Sequence, residues 1–219
     1  MRRLKAFTLT ELMVALAVIG VIVAVVTPTI MRTRPNKNKM MIKKSFYTAQ
    51  QMINTLINDS TLYPDRTEES YWGFDDTDKV TYEGMEYDGN TKFLELFKAK
   101  LNVKSVDSAN NSIFYSTDGV MWNLGGTVGA WTKQDKVGTF DDQTDASGIG
   151  KILVDVNGDE KPNCRENSFE DVARSVSCTG SADDFDRYVI EILVNGKMRI
   201  NPEDTKAIEY ATINTSIRD

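Results

Sequence analysis

Apolar positions along this 219-residue chain fall into three regimes. The first is unbroken: from Leu12 to Thr27 there is no charged residue, and none appears until Arg32. At about 1.5 Å per helical residue, roughly twenty residues cross a hydrocarbon core of about 30 Å, so this run is long enough to span a membrane. The second regime repeats every three or four residues. Ile42, Phe46, Ala49, Ile53 and Leu56, widened by Met52 and Ile57, predict an amphipathic helix over 40–58. Arg34-Pro35-Asn36 lies between the two patterns and predicts a kink or a brief break. Without a full break, residues 7–58 would form one helix of about 78 Å. Lys92–Leu101 predicts a shorter amphipathic helix with Phe93, Leu94, Leu96, Phe97 and Leu101 on one face.

From Ser112 the period drops to two. Ile113–Thr117, Asp118-Gly119 and Val120–Leu124 have the form of a hairpin with an Asp-Gly turn, and Arg187–Val194, Asn195-Gly196 and Lys197–Asn201 have the form of another. Lys151–Val156 predicts a third strand between them. Residues 60–91 are polar and turn-rich, with Tyr63, Tyr71, Trp72, Phe74, Tyr82 and Tyr87 scattered through them, and 125–150 is a glycine-rich connection. Residues 202–219 are polar and poorly patterned and read as a tail. The sum is an α+β fold: a long N-terminal helix whose first half spans a membrane and whose second half packs on a small antiparallel sheet.

Charge and composition narrow the function. The net charge of −6 argues against general nucleic-acid binding. There is no histidine, no Gly-x-Ser-x-Gly elbow and no phosphate-cradling glycine loop, so a hydrolase or nucleotide enzyme has little to build from and no catalysis is expected. Two cysteines in a chain that crosses a membrane suggest one disulfide in an oxidising compartment.

The N-terminal run admits three readings. A secretory signal peptide needs a small-x-small cleavage site, and the run ends instead in Val26-Thr27-Pro28-Thr29. A plain anchor leaves Glu11 unexplained, since an intramembrane carboxylate costs roughly 2.5–3.5 kcal/mol near the bilayer centre. The third reading uses every part. Arg2, Arg3 and Lys5, then Ala6, Phe7-Thr8-Leu9-Thr10-Glu11-Leu12-Met13-Val14, resemble the prepilin signal of type IV pilins and type II secretion pseudopilins. Ala6 departs from the glycine usual before the cut.

That resemblance implies a leader of residues 1–6, cleaved by a prepilin peptidase between Ala6 and Phe7, with methylation of the new N-terminus. Loss of the three leader cations would take the side-chain charge from −6 to −9. It implies a helix over 7–31 that spans the membrane and then forms the filament core, an amphipathic helix over 32–58, and a pilin-like roll over 59–219 with a variable loop at 60–91 and a C-terminal sheet and disulfide loop within 112–201. Glu11 would neutralise the Phe7 amine of its own or a neighbouring subunit, and Gly20 and Pro28 would loosen the helix. The implied partners are further copies in a helical homopolymer, minor pilins, an inner-membrane assembly platform, the prepilin peptidase, and the membrane before assembly. The implied location is the inner membrane first, then a surface or periplasmic filament. The basic cluster Arg32, Arg34, Lys37, Lys39, Lys43 and Lys44 would by itself place the downstream side in the cytoplasm, opposite to the orientation the motif demands. The readings to weigh are a pilus subunit, a secretion pseudopilin, and a membrane-anchored binding module using the aromatic 60–91 region.

Two features of the head invite chemistry. Asp155, Asn157 and Asp159, followed by Pro162-Asn163-Cys164, partly mimic the spacing of a twelve-residue calcium loop, but Glu160 stands where that loop needs glycine. Some members of the family carry a structural calcium near the end of the sheet, which would draw on Asp155, Asn157, Asp159 and Asp186. The other reading of the stretch is an Asn-Gly turn with solvated acids. Cys164 and Cys178 bracket a polar segment; closing a loop of that size would stabilise by roughly 3 kcal/mol, in agreement with the C-terminal disulfide loop the resemblance implies. Two unpaired thiols are the alternative.

Overall fold

The computed structural model describes residues 9–32, 37–63, 74, 79–125, 140, 149–158, 160–165, 185–193 and 195–212, with the side chains of the first helix described from 9 to 24. The chain divides into two compact units, residues 1–36 and 37–219.

The first unit holds α1 (Leu9–Arg32), helical through both Gly20 and Pro28. Its ten described large apolar side chains, from Leu9 to Val23, are each more than half exposed. Among the described residues no helix is long and apolar enough to cross a membrane. The described side chains, 9–24, cover about 24 Å, short of a hydrocarbon core, while the helical backbone continues to Arg32. The proposed break at 34–36 lies outside the described residues.

The second unit begins with α2 (Lys37–Ile57), which buries Ile42, Ala49, Ile53 and Leu56 as their spacing requires. Phe46 packs against the core only in part. Ser45 is buried instead, because its hydroxyl lies 2.7 Å from that of Tyr188. The segment expected to be loop at 60–91 contains a short hairpin, β1 (Val80–Tyr82) and β2 (Met85–Tyr87), ahead of α3 (Lys92–Lys100). The aromatics described there do not make an open recognition surface: Tyr63, Phe74 and Tyr87 are core side chains and Tyr82 packs against the core in part. Tyr71 and Trp72 lie outside the described residues.

The head is organised by six antiparallel strands in simple chain order: β3 (Val103–Val106), β4 (Ile113–Ser116), β5 (Met121–Asn123), β6 (Ile149–Asp155), β7 (Arg187–Leu193) and β8 (Met198–Ile200). Strand β3 precedes the point at which the sequence pattern turns to period two. The tail reading fails over Thr205–Thr212, which forms α4 and buries Ala207 and Ala211. One sheet face, carrying Phe114, Trp122, Ile152, Val154, Tyr188, Ile190 and Ile192, shares a core with α2, α3 and α4. Phe97 of α3 meets both Phe114 and Trp122 at ring distances of 6.2 and 5.8 Å. The opposite face holds a smaller cluster of Ile113, Met121, Leu153 and Val189. Alternation along each strand divides the two faces, as the pleat requires.

Candidate functional site

Two regions hold the residues singled out from sequence. At the N-terminal end, Ala6 and Phe7 lie outside the described residues. Glu11 falls in the first turn of α1, where the positive end of the helix dipole favours a carboxylate. A Cβ added at Gly20 would meet nothing within 4 Å, so no contact among the described residues calls for a glycine there. The arrangement is a helix apolar on all its sides with one acid near its start. A helix of that kind is stable only when buried in protein or lipid.

The second region is built around the start of β7. Strand register sets Asp155 of β6 directly opposite Arg187, and both are essentially inaccessible, at 0 and 1 % exposure. Arg187 donates through Nε to Asp155 Oδ2 at 2.7 Å and through Nη2 to Asn163 Oδ1 at 2.9 Å. Asp186, also buried, accepts from the backbone N–H of Asn163 at 2.9 Å and of Cys164 at 2.7 Å, while its own N–H and that of Arg187 both donate to the Cys164 carbonyl at 3.0 Å. Arg165 forks onto Asp204 at 2.7 and 3.0 Å, and Asp204 accepts from the Val189 N–H at 2.9 Å just before α4. Gly158 completes the turn after β6: its φ is +76°, and a Cβ there would lie 2.9 Å from the Gly119 carbonyl oxygen. Only glycine fits that approach.

Burial governs the acids. It pushes Asp155 up to about 7, with Asp186 adding to the rise and Arg187 and the Asn157 N–H pulling against it. Burial likewise raises Asp186, against the two backbone donors. These carboxylates therefore serve an arginine and a row of backbone donors. The calcium reading names Asp155, Asn157, Asp159 and Asp186, and the structure brings the first, second and fourth of these together. Asp159 lies outside the described residues. Among the described residues no cluster of three His, Cys, Asp or Glu side chains is arranged to hold a metal. Asn157 Oδ1 is a buried oxygen without a hydrogen-bond partner. Cys164 is buried and is not a free thiol, and Cys178 lies outside the described residues.

Sequence reasoning missed Arg187, Arg165 and Asp204 as members of this network. The signal that could have found the first is a cation heading a mostly apolar strand: such a cation enters a core only with an anion beside it.

Residues 1–27 match the family model for the prokaryotic N-terminal methylation motif, the prepilin signature of type IV pilins and pseudopilins. No curated protein and no solved structure matches the chain.

Proposed function

We propose that this chain, which carries the prokaryotic N-terminal methylation motif over residues 1–27, is a structural subunit of a type IV pilus-like filament. It is made as a prepilin, held in the inner membrane by α1, cleaved before Phe7 by a prepilin peptidase, methylated there and polymerised through α1. The observation that carries the reading is the state of α1: every large apolar side chain described in it is exposed. At about 25 cal/mol per Å² of apolar surface, that helix gains strongly from any environment that removes it from water. Lipid supplies one before assembly and the helices of neighbouring copies supply the other.

Glu11 fits this exchange. Cleavage before Phe7 would leave a cationic amine one helical turn away, and the carboxylate neutralises such an amine in a medium where either charge alone is costly. A pilus subunit and a secretion pseudopilin share this chemistry; we favour the pilus subunit because Glu11 suits an ordinary polymerising member. The test is Glu11→Ala in the full chain, in a host with prepilin peptidase and assembly machinery. The variant is expected to insert and be processed as the wild type is, while sheared filament falls to background. Normal filament yield from it would overturn the assembly role. The head is structural in this reading, with no catalytic part. The Cys164–Cys178 bridge closes its loop, and reduction is expected to add two hydrogens to the intact mass; an unchanged mass would mean free thiols.

A further inference from the structure

Outside α1, four large apolar side chains are exposed among the described residues: Met40, Tyr47, Met85 and Val106. Two of them lie on the outward side of α2 and one at the tip of the β1–β2 hairpin, and these two patches carry opposite charge. We propose that the outward face of α2 is a docking surface for the β1–β2 hairpin of a second copy of this chain. The inference rests on the filament reading and adds to it a contact between heads.

On the helix, Met40 and Tyr47 are seven residues apart, hence two turns, on the side away from Ile42, Ala49 and Ile53. Lys43 and Lys44 sit between them at three- and four-residue spacing, so both lie beside the apolar pair. Lys44 is also bridged to Asp118 at 2.8 Å, which fixes its position. Further along, Tyr47, Gln50, Gln51, Asn54 and Thr55 line a shallow depression of about 500 Å³. No charged residue occurs from Ser45 to Asn58, in a chain of which 26 % is charged. The stretch from Tyr47 onward, with lysines at its N-terminal end only, has the charge-depleted composition of an interface centre.

The hairpin has the complementary character. Glu83 and Gly84 both have positive φ, +50° and +81°, which makes the two-residue turn whose twist matches its strands and gives the tip one fixed shape. Met85 is 57 % exposed there, beside exposed Glu83 of the turn, while Glu86 and Asp88 are exposed on the other face of the strand. Lys79 partly offsets the last two at 3.4 and 3.8 Å. The charge contrast extends beyond the tip. Helix α2 carries four lysines and no acid, whereas residues 59–219 sum to −14. Such a difference orients two copies before they touch.

Because the two patches are different surfaces, the contact is heterologous. Repeated without closing into a ring, it generates an open helical array.

Charge reversal in the full chain tests the proposal, with sheared filament and processed membrane-held subunit measured separately. Lys43→Glu and Glu83→Lys are each expected to cut filament yield by about tenfold at unchanged subunit level, since each sets like charges face to face. The double variant is expected to return to within about threefold of the wild type. Single variants that assemble normally would overturn the contact. So would a double variant no better than the worse single, which would mean that lipid or another protein occupies the face. A second measurement needs no variant: a zero-length amine–carboxylate cross-linker on wild-type filaments should join Lys43 or Lys44 of one copy to Glu83 or Glu86 of another, and its failure to do so would also overturn the contact. If the wild type forms filament, Glu11→Ala abolishes it and charge reversal has no effect, the docking contact alone is wrong. If the wild type forms no filament, the filament reading is wrong and this contact falls with it.

Discussion

In β7, all seven residues from Arg187 to Leu193 are buried, and both of its charged side chains are paired within the head, Arg187 with Asp155 and Glu191 with Arg199, each at 2.7 Å. In α1, all sixteen described side chains from Leu9 to Ala24 are exposed. Both stretches are mostly apolar. The strand finds its cover in α2, α4 and neighbouring strands of the same chain. The described side chains of the helix have no such cover. Apolar character sets the need for burial; connectivity decides whether the chain itself can meet it.

Loss of Arg187 would leave the head with a buried charge stripped of its ion-pair partner. Arg187→Met leaves Asp155 buried without its guanidinium and Asn163 Oδ1 without its donor. At pH 8, the expected loss of head stability is about 3–5 kcal/mol, read by denaturant unfolding of the full chain in detergent. A loss below about 1 kcal/mol would mean that the pair is dispensable. Millimolar calcium is expected not to raise the wild-type melting temperature, because Arg187 already supplies the positive charge beside Asp155. A clear calcium-dependent rise would instead place an ion with Asp155, Asn157, Asp159 and Asp186.

Protonation sharpens the same contrast. Folding raises the pKa of Asp155 from 3.8 to about 7, so over that interval the folded chain holds a proton that the unfolded chain has released. The associated stabilisation is full below about pH 4 and is lost as pH rises through about 7; Asp186, also raised, acts in the same sense. The expected effect is on the order of a few kcal/mol, seen as a melting temperature that falls from pH 5 to pH 8. Asp155→Asn should flatten the slope, and an unchanged slope would contradict the assignment. Exposed α1 should answer to none of this. Its own test is Ile19→Asp, which adds about 2.5–3.5 kcal/mol to membrane insertion. It should reduce the membrane-held, processed chain while leaving the head's unfolding curve in place. Equal loss in both readouts would show that the two units are not energetically separate.

Much of the head was legible because its signals are local. Asp118-Gly119 and Asn195-Gly196 mark two turns, and the spacing of Ile42, Ala49, Ile53 and Leu56 marks the buried stripe of α2. The misses were elements whose pattern is too short or too diluted. Strand β3 is an edge with three of its four residues exposed, so it shows no apolar face. The β1–β2 hairpin has three residues per strand and turns on Glu-Gly, a weaker turn signal than Asn-Gly or Asp-Gly. Helix α4 has only eight residues; it buries Ala207 and Ala211 with Ile208 and Tyr210 packed beside them, a stripe of barely two turns. At the polar network, Asp155 and Asp186 stood out as oxygen donors, but what they bind depends on cross-strand register. A register places residue 155 beside residue 187, and spacing along the chain does not reveal it.

Processing of the N-terminal helix as a prepilin is read by mass spectrometry of the N-terminus of chain recovered from membranes and sheared surface material. A chain beginning at methylated Phe7 is expected. A chain that still begins at Met1, in a host whose prepilin peptidase is active on other substrates, would contradict it and reduce α1 to an anchor.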